Sequence, residues 1–442
     1  VMAAVTAQGA GPGLPRRRTC ERAGPPPCTR MAAVRLEATL EACHGRCYGF
    51  EGERDAWPKP QLVAGSQAEA RPGYDSMSAN EYQDTEDALR GKARALARLV
   101  RSAQHRVVYS GAGLSTAAGI DDYATRSEAS VSGGPFGGGG LGGAGNSYRS
   151  PFCAQPTLAH RTLVAMHGAG LLQHWVNQNH DGLPQKAGLP QECINEIHGA
   201  WHAPDNPVVV MTGELRHDLL SELRAEQRRA DLVIAVGTSL CGMNADSLVQ
   251  EPAQRAALRE PGQLGAVIVG LQQTVYDTDA TLRIFAQCDA VFALLAEELA
   301  LAVPPALPEG SFFLPPALVG RGDDDCLFEG VRYSAAGQRS EEERTTLDLR
   351  DGAELVITGG MHAGALGELD GRDREGNFRC RFRLKPKRGK LRAPVAMLLG
   401  RWWVQAAVDA AVPRLPVVNK PSEDAAGRAV DWLRQQIEAY AE

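Results

Sequence analysis

Short apolar runs alternate with amphipathic stretches through the middle of the chain. Across 81–103, Leu89, Ala93, Leu96, Leu99 and Val100 recur at helical spacing, with Asp84 and Thr85 available as caps. The runs 107–109, 175–176, 208–211, 232–236 and 265–271 are short, evenly apolar and rich in β-branched residues, so they read as buried strands. Between them, 157–168 (Leu158, Leu163 and Met166 inward), 218–230 and 289–300 read as helices. Strands alternating with helices predict an α/β fold, a parallel sheet covered on both faces.

The flanks read differently. Residues 1–76 are rich in Ala, Gly, Pro and Arg without a sustained period, which predicts a disordered segment with Met31 or Met77 as alternative starts. Residues 132–146 are mostly glycine, either a bland linker or a mobile cover over a ligand. Prolines from 304 to 316 mark a boundary. The expected division is a disordered segment 1–76, an α/β domain 77–302, a Pro-rich and acidic linker 303–344, a β-module 345–418 and a C-terminal helix 419–442, with Val430, Leu433 and Ile437 inward.

Composition adds limits. With 442 residues there is room for two or three domains, and 43% apolar and 23% charged residues are ordinary for a globular protein. A net charge of −6 argues against nucleic-acid binding over the whole surface, and no apolar run is long enough for a membrane helix. The ten cysteines form no C-x-x-C pair; Cys43 and Cys47, the closest two, fall in the segment expected to be disordered. That usage predicts no disulfide framework and a reducing, nuclear or cytoplasmic location.

Chemistry concentrates at the carboxyl ends of the predicted strands. The stretch VVYSGAGLSTAAGIDDY, from Val107 to Tyr123, runs from a strand through Ser110, Gly111, Ala112 and Gly113 into a short helix at Thr116. Such a turn presents backbone N–H groups to an anion, and it equally fits an ordinary α/β turn, since Thr116 stands where a dinucleotide fingerprint has its third glycine. The strand at Trp175 ends in Asn177, Gln178, Asn179 and Asp181, and the strand at 232–236 ends in Gly237, Thr238 and Ser239. Open α/β sheets bind ligands at such positions. His198, beside Gly199, adds a titratable group.

Taken in order, GAGLSTAAGIDDY, QNHDGL, EIHG, GTSL and the strand ending at Gly270 resemble the sirtuins, NAD-dependent protein-lysine deacylases, over about half of the chain. The resemblance implies a Rossmann-like parallel sheet with a reduced small domain, and NAD as cofactor. Gly111, Ala112, Gly113 and Ser115 would hold the phosphates and nearby ribose. Ile120 and Asp122, with Tyr123, Asn179 and Asp181, would shape the nicotinamide pocket, and Gln178 would bond the adjoining ribose. His198 would be the general base acting through the ribose hydroxyls. Gly237, Thr238 and Ser239 would line the adenosine side, with Gly270 and Asp289 near the adenine ribose. An acyl-lysine protein substrate, a histone among the candidates, would add as a strand against Met211, Thr212, Gly213 and Glu214 on one side and Met243, Asn244 and Ala245 on the other.

Three departures accompany the resemblance. The family's four zinc-binding cysteines after the catalytic histidine have no counterpart between His198 and Gly213, so no structural zinc is expected and the small domain must be held by packing or by another partner. The family's arginine after the aspartate–aromatic pair is Ala124, with Arg126 nearest, and the usual asparagine of the late strand is Gly270. These changes keep two alternatives open: an NAD hydrolase or mono-ADP-ribosyltransferase, and a non-catalytic NAD or ADP-ribose sensor. Further along, Gly360, Gly364 and Gly367 after Leu355-Val356-Ile357 resemble a KOW motif of SH3-like all-β barrels, with Trp402 and Trp403 expected in the barrel core. In FRCRFRL, from Phe378 to Leu384, Arg379, Arg381 and Arg383 share one strand face, and 372–392 holds ten basic against two acidic residues. That face is either a solvated strand face or a docking site for an RNA or protein partner.

Overall fold

A computed structural model describes residues 39–66, 78–120, 152, 154–209, 213–241, 244–306, 326–373, 375–385 and 393–420. The expected loop 132–146 and terminal helix 422–440 lie outside them.

The first unit opens with helices α1 (Leu40–His44) and α2 (Glu51–Ala56) and an antiparallel pair, β1 (Gln61–Ala64) with β2 (Glu81–Gln83). Here the sequence reading is corrected. Residues 39–66 pack on the sheet, with Cys43 and Cys47 fully buried and the amides of Arg46 and Cys47 bonded to Ala280 and Thr281 carbonyls at 2.8 and 2.7 Å. These side chains bury against distant elements instead of each other, so no local period betrays them.

Helix α3 (Glu86–Ser102) starts later than expected because Thr85 caps it, its hydroxyl accepting from the Ala88 amide. Asp84 instead receives the buried ammonium of Lys92 at 2.7 Å and the Phe285 amide at 2.9 Å. Then follow β3 (Arg106–Ser110), α4 (Leu158–Gly168), β4 (His174–Asn177), α5 (Leu183–Lys186), β5 (Ile194–Glu196), α6 (His217–Arg229), β6 (Leu232–Val236), α7 (Ser247–Ala257), β7 (Gly265–Val269), β8 (Leu282–Ile284) and α8 (Cys288–Glu298).

The six strands form one parallel sheet in the order β5-β4-β3-β6-β7-β8. Counted along the chain this is third, second, first, fourth, fifth, sixth, the doubly wound Rossmann order whose switch point lies between β3 and β6. Every residue of β3, β6 and β7 is buried, as strands covered on both faces require. Val108, Trp175, Ile234 and Val267 pack with Leu96, Leu163 and Phe292 under α3, α4 and α8. On the other face, Val107, Tyr109, Val233 and Ile268 pack with Leu223, Leu248 and Val249 under α6 and α7.

The strand expected at 208–211 is absent at its described residues. Val208 is 42% exposed, and the Val209 amide donates to the His198 carbonyl at 2.9 Å, outside any ladder. The edge strand is β5 instead, where Asn195 and Glu196 are buried polar residues that break an apolar pattern.

The second unit comprises β9 (Leu327–Val331), β10 (Thr345–Asp348), β11 (Glu354–Ile357), β12 (Leu366–Arg372), β13 (Phe378–Arg383), β14 (Val395–Leu399), helix α9 (Trp402–Val408) and β15 (Val417–Asn419). Strands β9 and β10 pair, and five strands form an antiparallel sheet ordered β14-β13-β12-β11-β15. The expected linker 303–344 therefore ends early: β9 and the fully buried Tyr333 belong to this unit's core with Leu355, Phe378 and Phe382. On β13 the alternation holds, with Phe378, Cys380 and Phe382 inside and the three arginines out; Arg381 pairs with Asp370 at 2.7 Å. Trp403 packs on this core, whereas Trp402 turns to the first unit, 5.2 Å from the His202 ring. No helix among the described residues is long and apolar enough to cross a membrane, and none of their cysteines is bridged.

Candidate functional site

The turn after β3 and the turn after β6 meet at the switch point. The Gly113 amide donates to the Gly237 carbonyl at 2.8 Å, and the Gly237 amide donates to Val269 at 2.9 Å. A Cβ on Gly111 would lie 2.8 Å from the Gly237 oxygen, and one on Gly237, whose φ is +59°, would collide with the Leu114 amide nitrogen. The glycines thus let two backbones touch and form a candidate cradle at the carboxyl edge of the sheet. Residues 112–114 and 116–118 wind as single 3-10 turns, so the expected helix is only a turn long.

Ser115 makes no side-chain cap to that turn. Its hydroxyl donates to Asp181 at 2.7 Å and accepts from the Asn179 amide at 3.1 Å. The second Asp181 oxygen accepts the Leu183 amide at 2.9 Å. Burial pushes the Asp181 carboxyl above its ordinary pKa, while these donors and the Lys186 and His180 charges pull it back. Asn179 also donates to the Gly111 carbonyl at 3.0 Å, and its own amide donates to Asn177, which takes the Ser110 hydroxyl at 2.8 Å. Gln178 reaches across the switch point and donates to the Thr238 hydroxyl at 2.8 Å. Ser115 from one motif and Gln178, Asn179 and Asp181 from another thus form one connected network with both glycine turns.

His198 follows β5, half-buried, and its loop is tied to the Asn179 loop. His180 Nδ1 lies 2.7 Å from the Gly199 carbonyl, and the Trp201 amide donates to the His180 carbonyl at 2.9 Å. Glu196, two residues earlier, is buried and its pKa is raised to about 7 by burial. Neither His180 nor Glu196 stood out in the sequence; a polar residue inside a strand of an otherwise apolar sheet was the available signal for Glu196.

Other expected residues fall elsewhere. Asp289 accepts the Ala159 amide in the first turn of α4 at 2.8 Å. Gly270 ends β7, its carbonyl accepting from Arg283 at 2.9 Å. Ile120 is half-buried beside the cradle, with its amide 3.4 Å from the Ser115 carbonyl, and Ser239 is half-buried in the second turn. Gly213, Glu214 and Asn244 are exposed, while the Ala245 side chain is buried in the core under α7. Asp122, Tyr123, Met211, Thr212 and Met243 lie outside the described residues. Among the described residues no cluster of three histidine, cysteine or acidic side chains could hold a metal ion.

The chain is 32% identical over 269 residues to the human NAD-dependent protein deacetylase sirtuin-7, an alignment covering 51% of this chain and 64% of that protein. It is 30% identical over 265 residues to the deacetylase SRT1 of Arabidopsis thaliana, covering 51% and 53%. With Sirt6 of Drosophila melanogaster the figures are 33% over 138 residues, 30% and 41%. Over this half the chain is similar to these deacetylases. The chain spans less than two thirds of the length of each of these relatives. A solved Sir2 complex with a p53 peptide and NAD+ aligns at 22% identity over 46% of this chain and 96% of that one, with a TM-score of 0.36. No family model matches the chain.

Proposed function

We propose that the sirtuin-like unit is an NAD-dependent protein-lysine deacylase. The observation that carries the reading is the network joining Ser115, Asn179 and Asp181 beneath the paired glycine turns, with the His198 loop hydrogen-bonded to it. The donor set fits NAD. Glycines whose Cβ atoms would strike the facing turn let two backbone turns come together at the strand ends, as a pyrophosphate site needs, amide and hydroxyl groups suit ribose and carboxamide, and a buried carboxyl suits a cation.

When bound, NAD supplies an electrophilic ribose carbon carrying a nicotinamide leaving group. Gly111, Gly113 and Gly237 would let backbone approach the phosphates. Gln178, held by Thr238, would hydrogen-bond a ribose hydroxyl. Asp181 is fixed by donors on both oxygens and shielded from water, so a positive charge arising beside it is stabilised in a low-dielectric site. Asn179, held by Gly111 and Ser115, would orient the carboxamide. His198 would take a proton from a ribose hydroxyl at its imidazole. The acyl-lysine of a protein substrate would present its acyl oxygen to that ribose carbon, with nicotinamide as the leaving group and water freeing the lysine, so that the acyl group would end on ADP-ribose.

The test is nicotinamide release from NAD with and without acetyl-lysine peptides, for the natural chain and for His198→Ala. Release that needs peptide and is lost in the variant supports the reading. Release without peptide makes the protein an NAD hydrolase or transferase, and NAD binding without turnover makes it a sensor.

A further inference from the structure

The loop that carries His198 is gripped by the second unit. Its backbone turns at Gly199 and returns through Asn206, whose amide side chain donates to the Glu196 carbonyl at 3.0 Å, but the tip is held from outside. The Gly400 amide donates to the His202 carbonyl at 2.9 Å. The Trp402 indole packs on the His202 ring and also covers Gly182, where a Cβ would lie 2.9 Å from its edge. Arg414 donates to the Asp205 carboxylate at 3.3 Å, through the same oxygen, Oδ2, that lies 3.6 Å from Arg216 Nη1. Gly360, with φ +68°, lies so close to the Asp205 carbonyl that any side chain there would strike it. Beneath this contact, Lys186 and Glu375 form an ion pair at 2.6 Å with both side chains buried.

Trp402 therefore touches both loops of the candidate site, the one following Asp181 and the one following His198. We propose that the C-terminal β-module is a clamp for the catalytic loops, with Trp402 and Arg414 as positioning residues that set His198 against Asn179 and Asp181. This rests on the deacylase reading for its chemistry, though not for its geometry. Residues 199–206 bury few apolar side chains of their own, so a loop of this kind keeps one conformation only where neighbours over-determine it. His202 is buried with neither ring nitrogen hydrogen-bonded, and burial lowers its pKa to about 3; it acts as an aromatic surface for Trp402 and not as a proton carrier.

The experiment uses the full chain and compares Trp402→Ala, Trp402→Phe, Arg414→Ala and Arg414→Lys. Hydrogen exchange reads the amides of Ala200 and Trp201, with β3 and β6 as internal controls, and steady-state turnover is measured in parallel. The clamp predicts exchange at Ala200 and Trp201 faster by tenfold or more in the alanine variants with the sheet unchanged. It also predicts a tenfold lower kcat with the KM for NAD within about twofold, and partial rescue by Phe and Lys. If Trp402→Ala does not fold, Arg414→Ala carries the test, since its ion pair is partly exposed. Unchanged exchange overturns the clamp. Faster exchange with unchanged kcat overturns the positioning role. A natural chain without turnover sinks the deacylase reading, while exchange still decides whether the module holds the loop.

Discussion

The Ser115 hydroxyl and the Asp181 carboxylate, contributed by the ends of neighbouring strands, stand 2.7 Å apart with both side chains buried. Removing the hydroxyl in Ser115→Ala strips a buried carboxyl of one donor and frees the Asn179 amide, a loss of about 1–3 kcal/mol. Nicotinamide release is expected to fall on the order of tenfold or more, with folding retained. An unchanged rate in a steady-state assay would remove this pair from the site.

Gly237→Ala tests the contact between the two turns. The new Cβ meets the Leu114 amide and comes 2.9 Å from Gly113 Cα, and an L-residue at φ +59° adds about 1–2 kcal/mol of its own. Urea midpoints should show at least that loss, and calorimetry should show weaker NAD binding. If both stay at natural values, the turns do not pack as described.

The ion pair between Lys186 and Glu375 predicts a double-mutant pattern. Lys186→Met alone leaves a buried carboxylate without its cation and is expected to cost about 3–5 kcal/mol, whereas Lys186→Met with Glu375→Leu should recover most of that. Thermal unfolding of the singles and the double decides it, and strict additivity would mean the two groups do not interact.

His160 sets a pH dependence. It is fully buried, stacked on Trp175, and burial lowers its pKa to about 3 from 6.5. The unfolded chain therefore binds a proton that the folded one refuses between these values. Stability from this residue is complete above pH 6.5 and is lost as pH falls toward 3, by about 1.4 kcal/mol per pH unit. In His160→Gln the fall of the urea midpoint below pH 6.5 should be shallower by that amount; parallel curves for the two proteins would contradict it.

The parts of the site that the sequence revealed are those with a local cause. A strand followed by Gly111 and Gly113, a polar run at Gln178, Asn179 and Asp181, and a second turn at Gly237 each announce a strand end, because backbone geometry there demands small or polar residues. The arginine face of β13 was legible for the same reason, since a strand alternates its faces whatever surrounds it. At Asp289 the sequence left the partner open, because a carboxylate at a helix start suits a ligand and a neighbouring helix equally, and the structure adds the Ala159 amide.

By itself the sequence determined the alternation of strands and helices, the parallel sheet and the residue types gathered at its carboxyl edge, all of which follow from periodicity and turn chemistry within a few residues. Tertiary structure alone decided that β5 and not the 208–211 run closes the sheet, that residues 39–66 are folded, and that Trp402 leaves its own unit to cover Gly182 and His202. The last two depend on partners far along the chain, as with Cys47 on Thr281 or Gly400 on His202, and a contact between distant segments leaves no period in either of them.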